Sequence, residues 1–160
     1  MTEIAQRAGL TARTFFRYFA DKREVLFAGS ADLQDQLVAS LQAAPDSASP
    51  MVAVSAALDT AAALLGQHRE HSRQRQSVVD ANAELREREL IKMAALSAAL
   101  AEGLRRRGVL EPDATLAAEA GIVVLRVAFE RWVSEPPQEE DLPQLMRGSL
   151  DRLRTVTASP

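Results

Sequence analysis

The sequence predicts an all-α protein, a helix-turn-helix head followed by a helical body. Three observations predict it. Apolar residues recur at spacings of three and four along most of the 160 residues. No segment of useful length alternates with the period of two that a strand needs. Helix punctuation falls between the periodic runs: Asn82 and Gly108, and prolines at Pro45, Pro50, Pro112, Pro136 and Pro137.

The first element is a short helix over about 2–8, with Ile4 and Ala8 on one face. Ala5 is small enough for a second helix to cross close by. Gly9 tolerates the left-handed conformation that ends a helix and reverses the chain. Thr11 caps the next helix, because its hydroxyl accepts from a free backbone N–H. That helix, about 12–19, puts Phe15 and Phe19 on one face and Arg13, Thr14 and Arg17 on others. A polar, basic face on a short helix suits a major groove.

A long helix follows from residue 20 or 21 to near Ala44, through Val25, Leu26, Leu33, Leu37 and Leu41. Residues 45–50 form a linker, with Ser49 as cap and Pro50 at the first helical position. The body continues with helices over about 50–66, 68–81 and 83–107, the last capped by Asn82 and stopped at Gly108. Glu111-Pro112-Asp113 opens a helix to about residue 135. Pro136-Pro137 breaks it, and 142–156 is the last helix. The acidic run Glu139-Glu140-Asp141 suits that helix's positive N-terminal end.

Composition narrows the function. The chain has no Cys, which excludes disulfides and thiolate metal sites. Its first residues lack the apolar run of a secretory signal. No apolar run approaches the roughly 20 residues of a membrane span. The expectation is a cytoplasmic protein without membrane contact. The net charge of −3 is unevenly placed: residues 1–28 carry five basic and three acidic side chains, and the remainder 14 and 19. The head is therefore +2 and the body −5. A basic head can meet phosphates while an acidic body stays off the duplex. The domains expected are a head over 1–28 and a body over 29–160.

With these residues in view, the head resembles the DNA-binding domain of the tetracycline-repressor (TetR) family of bacterial regulators. Ile4-Ala5, Ala8-Gly9-Leu10-Thr11, Thr14-Phe15-Phe16-Arg17-Tyr18-Phe19, Lys22 and Val25-Leu26 carry the likeness. Members usually have a further helix ahead of this motif, so the head is expected to lack its usual first helix. The body over 82–108 and the helix ending Phe129-Glu130-Arg131-Trp132 are similar to actinobacterial members. Some of those resemble the regulator of the mycofactocin system. An Arg to Lys ratio of 17 to 2 fits the GC-rich genomes of that group.

The expected DNA contacts are Thr11, Arg13, Thr14, Phe16, Arg17, Tyr18 and Lys22. Arg13 and Arg17 can bond guanine in a bidentate manner or meet phosphate. The resemblance implies that Thr14 lies near the duplex and that Tyr18 and Lys22 hold its backbone. Phe16 stands where many members have Tyr, so its contact must be apolar. The bland alternative is that these arginines form a solvated face.

The resemblance also implies a ligand site and a two-fold dimer. Candidate liners are Leu58, Leu65, Val78, Val79, Met93, Leu96, Leu100, Leu125 and Phe129, an apolar set suited to a hydrophobic molecule; a filled core fits them equally well. An acyl thioester is one ligand the narrower likeness suggests. The candidate dimer seam is Ala117, Gly121, Val124, Ala128 and Trp132 on one helix. On the next it is Leu142, Leu145, Met146, Ser149, Leu153 and Val156. Both stripes could instead be core. The resemblance favours the dimer, since two heads on symmetric half-sites give usable affinity.

Other residues read as structural. Arg126 pairs with Glu130 or Glu119 on an outer stripe. His68 and His71 form a surface pair, with no metal expected. Arg105-Arg106-Arg107 complements a helix C-terminus in solvent. No phosphate loop, zincin histidine pair or nucleophile elbow appears, so neither enzyme chemistry nor a cofactor is expected. The reading is a ligand-responsive, DNA-binding repressor with a small-molecule effector. Its rival is a helical ligand- or protein-binding bundle whose shortened head no longer binds DNA.

Overall fold

The computed structural model describes residues 26–134, 136–137 and 139–160. Two compact units divide the chain, residues 1–31 and 32–160. The described residues form six helices and no strand: α1 Ser30–Ala43, α2 Pro50–Leu65, α3 Arg69–Asp80, α4 Ala83–Arg106, α5 Asp113–Val133 and α6 Leu142–Thr157.

The caps follow the sequence signals. Ser49 Oγ accepts from the Val52 amide, with Pro50 opening α2. Asn82 Oδ1 accepts from the amides of Glu84 and Leu85. Gly108 takes φ +89°, the left-handed conformation that ends α4 without a Cβ clash. At α6, Asp141 accepts from the Gln144 amide while the Gln144 side chain accepts from the Asp141 amide, a reciprocal capping box.

One expectation is corrected. The long helix to Ala44 is not continuous: residue 26 is helical, 27–29 form a turn, and α1 starts at Ser30. Gly29 lies at φ +83°, where a side chain would be strained. The Ser30 hydroxyl and amide both donate to the Phe27 carbonyl, closing the turn locally.

In the body, α5 packs against α2, α3, α4 and α6, and α6 also lies on α2. One apolar cluster fills the space between them. It includes Leu37 and Leu41 from α1, Val54 and Leu58 from α2, Leu100 and Leu104 from α4, Leu125 and Trp132 from α5, and Leu145 and Met146 from α6. Removing this surface from water is the main stabilising term, roughly 1.5–3 kcal/mol for each large side chain.

Two arginines tie helix ends together. Arg107 Nη1 donates to the carbonyls of Gln42 and Ala44, and its Nη2 to that of Pro45. It thus supplies donors to carbonyls left free at the C-terminus of α1. Gln42 returns a bond from Nε2 to the Gly103 carbonyl at 2.7 Å. Arg69 does the same for α5, donating to the carbonyls of Trp132 and Ser134. Arg107→Ala is expected to cost about 1–2 kcal/mol, since charge-assisted bonds are lost from a half-exposed site. Arg106→Ala, whose ion pair to Glu102 is exposed, is expected to cost under about 0.5 kcal/mol. Urea unfolding of the two variants side by side measures the difference.

Glu111 shows an acid-side linkage at a helix start, as does Glu70 beside Arg73 in the first turn of α3. The Glu111 carboxylate accepts from the Thr115 hydroxyl and amide and from Arg105. The Thr115 hydroxyl, then Arg105, hold its pKa below the ordinary 4.5. A depressed folded value means that the stabilisation is present above the unfolded pKa and is lost as pH falls through the folded one. Glu111→Gln is therefore expected to flatten the loss of stability below about pH 4.5 and to leave the alkaline side unchanged. Thermal melts from pH 7 to pH 3 test this.

Candidate functional site

The expected DNA contacts Thr11, Arg13, Thr14, Phe16, Arg17, Tyr18 and Lys22 lie outside the described residues. What the structure locates is the body that a DNA-reading head would serve.

The candidate ligand residues fall into three groups. Leu58, Val79, Leu96, Leu100 and Leu125 are buried. Leu65, Met93 and Phe129 are half-buried and pack against the main cluster, whereas Val79 is buried outside it. Val78 is about half exposed. Phe129 stacks obliquely on Trp132, ring centres 5.9 Å apart at 55°, a tilted geometry that aromatic quadrupoles favour. An open depression of about 340 Å³ lies elsewhere, between the start of α2 and the start of α5. Ser49, Pro50, Met51, Asp113, Leu116 and Ala117 line it, and none of the expected liners does.

Most residues of the candidate seam are turned into the chain's own core. Ala117, Gly121, Val124, Ala128, Trp132, Leu142, Leu145, Met146 and Ser149 are buried within the single chain, and Leu153 is half-buried. Their neighbours are this chain's own helices. Gly121 shows why: a Cβ there would stand 2.5 Å from Val54 Cγ1, so α5 crosses α2 at this point. Ser149 Oγ is buried with no hydrogen-bond partner among the described residues. Of the seam residues only Val156 is open, at 74%. The outward apolar residues of α5 are instead Leu116, Val123 and Val127.

Charged residues also depart from expectation. Arg126 is exposed and has no ion pair among the described residues. Glu119 instead accepts from Ser97 on α4 at 2.7 Å. The arginines at the end of α4 are engaged rather than simply solvated. Arg105 pairs with Glu102 and Glu111, Arg106 with Glu102, and Arg107 with the α1 carbonyls. Arg75 and Gln76 link α3 to α4, both bonded to Glu89. His68 and His71 are exposed, and among the described residues no three His, Cys, Asp or Glu are grouped to hold a metal. No single described helix is long and apolar enough to cross a membrane.

The sequence reading missed Arg69, Gln42 and Arg107 as inter-helix ties. The available signal was weak: each lies in or beside a loop next to a helix end that has no capping side chain of its own.

Comparison with known proteins completes the picture. Residues 1–28 match the family described as bacterial regulatory proteins, tetR family. Residues 48–158 match the MftR C-terminal domain. No curated protein matches the chain.

Proposed function

Because this chain belongs to the TetR family of bacterial regulatory proteins, with an MftR-type body over 48–158, we propose that its head reads an operator in double-stranded DNA. We propose further that it acts in the cytoplasm as a repressor, released when a small hydrophobic molecule binds the body.

The order of residues in 1–28 carries this reading. Ala5, Gly9, Thr11, Arg13 and Arg17 follow one another within the stretch that matches the family, on a segment of charge +2. Arg13 and Arg17 supply base or phosphate contacts, and Thr11, Thr14, Phe16, Tyr18 and Lys22 complete the surface. Two heads are needed for specificity. The outward stripe Leu116, Val123 and Val127 on α5 offers a second copy an apolar surface. The effector would enter among the half-buried Leu65, Met93 and Phe129 rather than at the fully packed positions. It would act by preferring an arrangement of the two heads that no longer fits successive grooves.

The test is a mobility-shift assay with the DNA just upstream of the protein's own coding region. Binding should weaken steeply with salt. Arg13→Ala and Arg17→Ala should each cost about 1–3 kcal/mol of affinity. Binding indifferent to both substitutions would overturn the assignment of the recognition helix.

A further inference from the structure

From Leu90 to Ala101 the residues of α4 are apolar except for Lys92 and Ser97. One side of this stretch belongs to the core through Leu96 and Leu100. The opposite side is open: Leu90 is 63% and Ile91 61% exposed, and Ala94, Ala95 and Ala98 are exposed beside them. A helix that is apolar all round is normally covered all round.

What covers the open side is indicated by the charges that bracket it. On this face Glu84, Glu87 and Arg88 stand ahead of it, and Glu102, Arg105 and Arg106 behind it, where Glu102 already pairs at an exposed site with both arginines of its own chain. An antiparallel copy of α4 related by a two-fold axis at Ala95 sets residues equally far from that axis opposite one another. Glu84 then faces Arg106, and Arg88 faces Glu102. Glu87 and Arg105 lie two positions out of register, about 3 Å along the axis and within side-chain reach. By helical spacing these charges share the face with Ile91, Ala95 and Ala98. Each end of the surface is thus complementary to the other, which an isologous contact requires. Alanine at the crossing lets the two helix axes come close.

We infer that the outer face of α4 is a self-association surface that takes a second copy of this chain, with Ala95 at the two-fold axis. It is a different face from the Leu116–Val123–Val127 stripe of α5, and it does not depend on the head binding DNA. Used together, the two faces join four or more copies; used alone, the α4 face joins two.

The experiment is sedimentation equilibrium of the full chain. Ala95→Glu adds a charge at an exposed helical position, so the fold should persist, as circular dichroism would check. It should halve the particle mass, weakening self-association roughly tenfold or more. Val123→Asp on α5 should leave the α4 contact intact. A swap gives a second, independent arm. Glu84→Arg and Arg106→Glu should each weaken association, and the double variant should recover it. If Ala95→Glu leaves the mass unchanged while the chain stays folded, or if the double variant is no tighter than the singles, the inference is overturned. A lack of DNA binding would strike the proposed function and leave this surface untouched.

Discussion

Replacing Trp132 by Ala is expected to lower the stability of the chain by about 3–5 kcal/mol. The difference from the parent should be the same at every protein concentration. Trp132 is only 3% exposed in the single chain and stacks on Phe129. Its removal therefore leaves a cavity inside one copy. A residue anchoring a seam between copies behaves otherwise, because an assembled state gains stability by mass action and its loss varies with dilution. Guanidinium unfolding at two concentrations a hundredfold apart distinguishes these. A loss below about 1 kcal/mol, or one that changes between the two concentrations, would return Trp132 to the surface.

Gly121→Ala is expected to destabilise by about 1–3 kcal/mol. The direction is what makes it informative, since Gly→Ala inside a helix ordinarily stabilises by roughly 0.8–1 kcal/mol. The new Cβ would lie 2.5 Å from Val54 Cγ1, closer than carbon atoms can approach. Val54 is fully buried and β-branched, so it has few other rotamers to adopt. Val54→Ala should relieve the clash, and the double variant should be more stable than the two single losses predict. Stabilisation by Gly121→Ala alone would show that α2 and α5 do not cross at this distance.

Much of the helical body was legible because its signals are local. Ser49, Asn82 and Gly108 each act on the few residues beside them, and the structure gives them the roles read from sequence. The break at 27–29 was not legible, since Gly29 sits in an unbroken periodic run where a glycine is often tolerated. The inward face of α5 was hidden for a different reason. Ala117, Val124 and Ala128 each follow an outward apolar residue, Leu116, Val123 and Val127. Two apolar stripes lie one position apart, and spacing alone does not say which one the core takes. The ties of Arg107 span 62 to 65 residues, and no local pattern announces such a partner. The recognition residues proposed for the head rest on sequence order and family membership, because they lie outside the described residues.

The use of guanidinium groups as plugs for spent helix ends has a consequence for how the body tolerates its surroundings. Arg69 and Arg107 bond to main-chain carbonyls rather than to carboxylates. A bond from a guanidinium to an amide oxygen needs no proton to be gained or lost. These fastenings should hold in mild acid and mild base alike, so the acid-sensitive bonds of the body are those made to carboxylates, Glu70 and Glu111 among them.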